Sequence, residues 1–152
     1  LRIVRLERNA LDELYPKNEK FNEDGFNIIS NGKEISLITY GYMTHRAKEA
    51  CELLKKENIE VGLIDIYSIK PFPKNLISNL SNLKKIITIE EQTLSGGFGS
   101  SILENLSLLN LLSVEIKNMG LPDKYFFENG GREYLLDQNG LSVKDIINQV
   151  KN

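Results

Sequence analysis

The sequence predicts an α/β sandwich with a largely parallel sheet whose first strand is antiparallel to the rest, and three observations carry that expectation. Short β-branched or apolar runs alternate with stretches of helical period, joined by short connections. Ile86, Ile87, Thr88 and Ile89 form the kind of run that fills a strand covered on both faces. Asn31-Gly32, between the first two apolar runs, is a tight-turn pair that predicts a hairpin and so sets the first strand against the others.

Taken in order, a strand over Phe26 to Ser30 is followed by the turn pair and a second strand over Ile35 to Tyr40. A helix from Thr44 to near Glu57 has Thr44 available as its N-cap, and a strand follows over Val61 to Ile66. Next come a helix from Pro73 to near Leu80, the strand Ile86 to Glu90, a helix from Gly97 to near Leu109 and a strand over Leu112 to Ile116. A short helix around Arg132 to Asp137 and a last helix from Ser142 to Gln149 complete the chain. Ahead of all these, Ile3 and Val4 read as the tail of a strand belonging to something upstream, and Pro16, nearby Asn and Asp residues and Gly25 break regular structure.

Composition narrows the function classes. At 152 residues, 41% hydrophobic and 26% charged, the chain can bury one ordinary core. A formal net charge of −2 gives no electrostatic argument for nucleic acid or an anionic membrane. The single cysteine, Cys51, excludes a disulfide framework and a zinc cluster. The absence of an apolar run of about 18 residues and of a signal-peptide layout points to a cytoplasmic protein.

The segment Lys84 to Ser100, KKIITIEEQTLSGGFGS, is where chemistry would concentrate: a strand runs into paired carboxylates, then into a glycine turn that opens a helix. Glu90 and Glu91 stand at the strand's carboxyl end, where open α/β sheets place their working surfaces. As strand neighbours they point to opposite faces and cannot easily share a proton, so one is expected to accept hydrogen bonds from the glycine turn while the other meets a neighbouring domain or subunit. Gly96, Gly97 and Gly99 permit positive φ or close backbone approach. The turn lacks the Lys and Ser/Thr of a phosphate loop and the spacing of a dinucleotide fold, and close helix–strand packing explains its glycines at least as well. His45, the sole histidine, has no neighbouring His or Cys for a metal, and no Cys-His pair or Ser-His-Asp set is present for an independent reaction.

That segment resembles the C-terminal domain of the transketolase-like, thiamine-diphosphate-dependent enzymes, in which a strand ends in an acidic pair followed by a GG-x-G turn. SLITYG (Ser36 to Gly41), AKEACELL (Ala47 to Leu54), VGLIDIYSIKP (Val61 to Pro71) and GLPD (Gly120 to Asp123) follow in the family's order, and FENGGREYLLDQNGL (Phe127 to Leu141) resembles the closing element of 1-deoxyxylulose-5-phosphate synthases and split transketolases. The resemblance implies a three-layer α/β/α sandwich around a five-stranded mixed sheet. It also implies that residues 1–26 are the end of a preceding pyrimidine-binding domain plus a linker, and that residues 27–152 are the C-terminal domain. In the family an arginine of that closing piece reaches the phosphate of the sugar substrate; Arg8 resembles it best and Arg5 is the alternative. Glu90, Glu91, Gly96, Gly97 and Gly99 correspond to a loop near dimer and interdomain contacts. Thiamine diphosphate and Mg2+ are held by a Gly-Asp-Gly motif and magnesium ligands in another domain, and the activating glutamate lies in a third, so this chain is expected to bind neither and to be catalytically incomplete alone. The implied partners are upstream domains of the same enzyme, in one chain or split subunits, a second copy in a homodimer, and a sugar-phosphate substrate. A 2-oxo-acid dehydrogenase β subunit and a stand-alone interaction module are the alternatives.

Overall fold

The computed structural model describes residues 3–8, 10–21, 23–108 and 114–152. Five strands, β1 (Phe26–Ser30), β2 (Ile35–Thr39), β3 (Gly62–Ile66), β4 (Lys85–Thr93) and β5 (Glu115–Leu121), form one sheet in the order β1-β3-β2-β4-β5. β1 pairs antiparallel with β3, and the other pairings are parallel. The helices are α1 (Tyr42–Lys56), α2 (Leu76–Leu80), α3 (Phe98–Leu108), α4 (Gly131–Gln138) and α5 (Val143–Lys151).

Strand alternation divides the core into two layers. Leu37, Leu63, Ile87 and Ile89 face one side, where they meet Met43, Ala47, Ala50 and Leu54 of α1, Leu136 of α4 and Ile146 and Val150 of α5. Ile38, Ile64, Ile66 and Ile86 face the other, against Leu76 and Leu80 of α2 and Phe98, Ile102 and Leu106 of α3. Helices therefore cover both faces, and the predicted α/β/α sandwich with an antiparallel first strand is the observed fold. Spacings of four, three and four residues put the α1 apolar positions on one stripe. α5 starts at a capping box, in which the Asp145 N–H donates to Ser142 Oγ and the Ser142 N–H to Asp145 Oδ2, each at 3.1 Å.

The Asn31-Gly32 pair does not make a hairpin. β1 and β2 lie on opposite sides of β3, and residues 31–34 cross the amino end of that strand to join them. Gly32 is needed for the crossing itself, since a Cβ there would stand 2.2 Å from the Ile35 carbonyl oxygen and 2.3 Å from the Gly62 nitrogen. Close passage of two backbones selects glycine here, not a primed turn. β5 runs to Leu121, five residues past its predicted end at Ile116; residues 109–113, which held the predicted strand start and helix end, lie outside the described residues. As an edge strand it keeps Lys117 and Asn118 exposed, and its apolar signal is correspondingly weak. β4 continues three residues past Glu90.

Among its described residues, the segment before β1 has no helix or strand, but it is tied to the domain. Tyr15 donates to Asp65 Oδ2 at 2.6 Å, and edge-on ring contacts link Tyr15 to Phe21 and Phe21 to Tyr67, with centroids 5.1 and 5.2 Å apart. Thr44 is not the cap of α1. Gly41 takes that position, and the Thr44 hydroxyl donates instead to Asp65 Oδ1 at 2.8 Å.

Burial pushes the Asp65 carboxyl above its ordinary pKa, against the two hydroxyl donors and His45. A carboxyl whose pKa rises on folding holds its proton more tightly in the folded chain. The stability this contributes is complete below the unfolded value of about 4 and is lost as pH rises through the raised folded value. The advantage of the native chain over Asp65→Asn in urea midpoint should therefore shrink as pH is raised from about 4 toward neutrality; a constant difference across that range would show that Asp65 is not proton-linked to folding.

Candidate functional site

The carboxyl ends of β2, β4 and β5 meet the starts of α1 and α3 and the flank of α4 at one edge of the sheet. Along β4, Thr88 and Glu90 face α3, while Ile89 and Glu91 face α1 and α4. The Glu90 side chain is fully buried, and its carboxylate accepts the Phe98 N–H at 2.7 Å and the Gly99 N–H at 2.9 Å. An internal carboxylate thus occupies the place at the α3 start where an anion would bind. Burial raises its pKa, opposed by those two N–H donors.

The glycines of the turn have separate reasons. Gly96, with φ at 69°, supplies the left-handed residue and is open on its Cβ side. Gly97 has no positive φ. It is required for space, because a Cβ there would lie 2.3 Å from the Thr93 carbonyl oxygen and 2.4 Å from Glu90 Oε2. Gly99 is buried against Thr88 and Asn118. Of the predicted contact residues, Glu90, Gly97 and Gly99 are therefore turned inward to the chain's own packing, and Gly96 remains exposed.

Glu91, on the other face, is held by Arg132 of α4 through two parallel hydrogen bonds, Nε to Oε2 at 2.8 Å and Nη2 to Oε1 at 2.7 Å. The same guanidinium reaches Glu7 Oε2 at 2.7 Å and lies over the Tyr42 ring, Cζ 3.9 Å from its centroid. Burial opposes the charge on Arg132, but Glu7 and Glu91 more than offset it and raise its pKa. Beside this, buried Arg46 of α1 donates to Asp137 Oδ1 at 2.6 Å, to the Leu141 carbonyl at 2.8 Å and to Glu133, which also accepts from the Tyr42 hydroxyl. Burial works against the Arg46 charge as well, and its partners Tyr42, Glu133 and Asp137 hold the pKa above the ordinary value.

The two candidate arginines of the opening segment part company. With the Gln92 amide turned to satisfy both groups, its oxygen accepts from Arg5 Nη1 and Nη2 at 3.1 and 3.2 Å. Arg8 is exposed, and its backbone N–H donates to Glu7 Oε1 at 2.8 Å. Sequence reasoning missed Arg46, Arg132 and Asp65. Their partners are distant in the chain, and the one available signal was the GGRE element already singled out near the end. No helix among the described residues is long and apolar enough to cross a membrane.

Comparison with known proteins agrees with this architecture. The family described as "Transketolase, C-terminal domain" matches residues 25–146. The 1-deoxy-D-xylulose-5-phosphate synthase of Bacillus velezensis is 37% identical over 125 residues, 82% of this chain and 20% of that protein. The Halothermothrix orenii enzyme of the same name is 39% identical over 99 residues, 64% of this chain and 16% of that protein. A solved structure described as "Split gene transketolase, inactive beta4 tetramer" superposes with a TM-score of 0.81 at 27% identity, covering 95% of this chain and 46% of that one. Campylobacter jejuni transketolase shares the fold, with a TM-score of 0.61 at 16% identity over 84% of this chain and 18% of that one. The chain spans about a fifth of the length of the curated relatives it matches. With the sheet order, the acidic strand end and the glycine turn all in place and the match running through nearly every element, the chain belongs to the transketolase C-terminal domain family.

Proposed function

We propose that this chain is the C-terminal domain of a thiamine-diphosphate-dependent, transketolase-like enzyme that transfers a two-carbon unit between sugar phosphates or 2-oxo acids. The observation that carries this reading is the extent of the likeness to 1-deoxy-D-xylulose-5-phosphate synthases, 82% of this chain against a fifth of theirs. Those relatives do not favour the 2-oxo-acid dehydrogenase alternative. The residues present do not fit the cofactor: the sequence has no Gly-Asp-Gly, and no group of three His, Cys, Asp or Glu among the described residues could hold a metal. Thiamine diphosphate and Mg2+ belong, on this reading, to domains outside this chain.

The domain's task is then to brace its neighbour and to strengthen a homodimer. Residues 1–26 are the end of the preceding pyrimidine-binding domain and the linker. The contact surface is the exposed side of the crest at Gly96 with the neighbouring opening segment, held from beneath by Glu90, Gly97 and Gly99. Glu91 contributes through Arg132. We take Arg8, which is exposed, as the phosphate-facing arginine, with Arg5, which donates to Gln92, as the alternative. We place the enzyme in the cytoplasm, a location compatible with phosphorylated substrates that do not cross membranes unaided.

The test is the full-length enzyme with thiamine diphosphate and magnesium, assayed on xylulose 5-phosphate with an aldose phosphate acceptor and on pyruvate plus glyceraldehyde 3-phosphate. Turnover with either set supports the reading and names the substrate class; turnover with neither sinks it. In the active assay, Arg8→Ala should raise KM for the phosphorylated substrate by about 1.5 to 3 kcal/mol in binding, the value of a charged hydrogen bond. An equal effect on a non-phosphorylated substrate would remove Arg8 from the phosphate.

A further inference from the structure

We infer that Arg132 is a positioning residue that fixes the Arg8-bearing segment to the crest through Glu7. The inference rests on Arg8 facing the substrate phosphate, as proposed above.

Three contacts immobilise the Arg132 guanidinium. Glu91 takes one edge bidentately at 2.7 and 2.8 Å, the Tyr42 ring supports one face at 3.9 Å, and Tyr42 is itself anchored by its hydroxyl on Glu133. The fork still presents Nη2 toward the opening segment, where it meets Glu7 Oε2 at 2.7 Å. Glu7 carries the link onward with its other oxygen, which accepts the backbone N–H of Arg8 at 2.8 Å. A single carboxylate therefore joins a fixed cation on α4 to the backbone of the residue assigned to the substrate.

The segment's contacts alternate as they do along an extended chain. Arg5, on Gln92, and Glu7, on Arg132, each reach the crest from a segment that is otherwise exposed, and Leu6 between them is 83% exposed. Two anchors on alternate residues fix both the height and the rotation of the segment, and so the direction in which Arg8 is presented. Misplacing a positioned group costs binding of the substrate part it serves more than it costs the fold.

The reading has a measurable signature in the full-length enzyme. Glu7→Gln and Arg132→Gln should each raise KM for the phosphorylated substrate about two- to fivefold, the range of a partly exposed charge pair. Turnover at saturation and KM for a non-phosphorylated substrate should be nearly unchanged. The double variant should be no worse than either single one, because both substitutions cut the same link. Arg132→Lys, which keeps the charge but cannot fork between Glu7 and Glu91, should recover only part of the loss. If Arg8→Ala raises KM for the phosphorylated substrate while Glu7→Gln does not, the positioning role is wrong and the assignment of Arg8 survives. If Arg8→Ala itself leaves KM unchanged, the assignment of Arg8 fails and the inference falls with it. Additive losses in the double variant would also overturn it. Should Arg132→Gln fold poorly, Glu7→Gln on the exposed segment decides the matter alone.

Discussion

A Gly97→Ala chain should be less stable by about 2 to 4 kcal/mol, enough to leave a marginal domain partly unfolded. The added methyl would stand 2.3 Å from the Thr93 carbonyl oxygen and 2.4 and 2.8 Å from the two Glu90 carboxylate oxygens. Neither neighbour can yield cheaply. Thr93 is strand backbone, and moving the Glu90 side chain breaks its bonds to the Phe98 and Gly99 N–H groups and strands a buried charge. The control is Gly96→Ala, at φ 69° with nothing near its Cβ. That variant bears only the cost of a left-handed alanine, about 1 kcal/mol. Urea unfolding of both variants separates the two demands of the turn. A Gly96→Ala chain weaker than Gly97→Ala would mean that conformation, and not close packing on Glu90, selects the glycines.

The same contrast explains what could be read in the sequence. The strand ending in Glu90 and Glu91 was legible because alternation is local: one carboxylate had to turn toward the glycine loop and the other away. β1 was legible to the residue, and so was its antiparallel sense. Its pairing was not, because Asn31-Gly32 carries the local chemistry of a hairpin while the crossing over Gly62 is a tertiary event. Thr44 had the chemistry of a cap, and only the fold could bring Asp65 within reach of its hydroxyl. Arg132 and Glu91 are 41 residues apart, and Arg46 and Asp137 are 91 apart. Charged residues at such separations carry no period, turn or spacing that would pair them, so the ion-pair cluster became visible only once α1, α4 and β4 were placed together.

Arg46→Ala should cost about 2 to 3 kcal/mol, and its effect should be centred on α4 and α5 rather than on the sheet. Arg46 is 7% exposed, and its guanidinium joins α1 to Glu133 and Asp137 of α4 and to the Leu141 carbonyl just before α5. Removing one member of a fully buried pair costs about 3 to 5 kcal/mol. Here the Glu133 and Asp137 side chains are 63% and 51% exposed, so their carboxylates can be rehydrated when the arginine is gone. What cannot be recovered as easily is the partner of the Leu141 carbonyl and the packing of the arginine stem, and these set the expected loss. Arg46→Lys retains charge and most of the stem but loses the fork that serves Asp137, Leu141 and Glu133 together, so it should fall between the native chain and the alanine variant. Hydrogen exchange supplies the location. Amides of α4 and α5 should lose protection in Arg46→Ala while those of β2, β3 and β4 keep theirs relative to global stability. A loss below about 1 kcal/mol, the size of an exposed ion pair, with α4 and α5 still protected, would show that the apolar contacts of Leu136, Ile146 and Val150 hold these helices without the arginine.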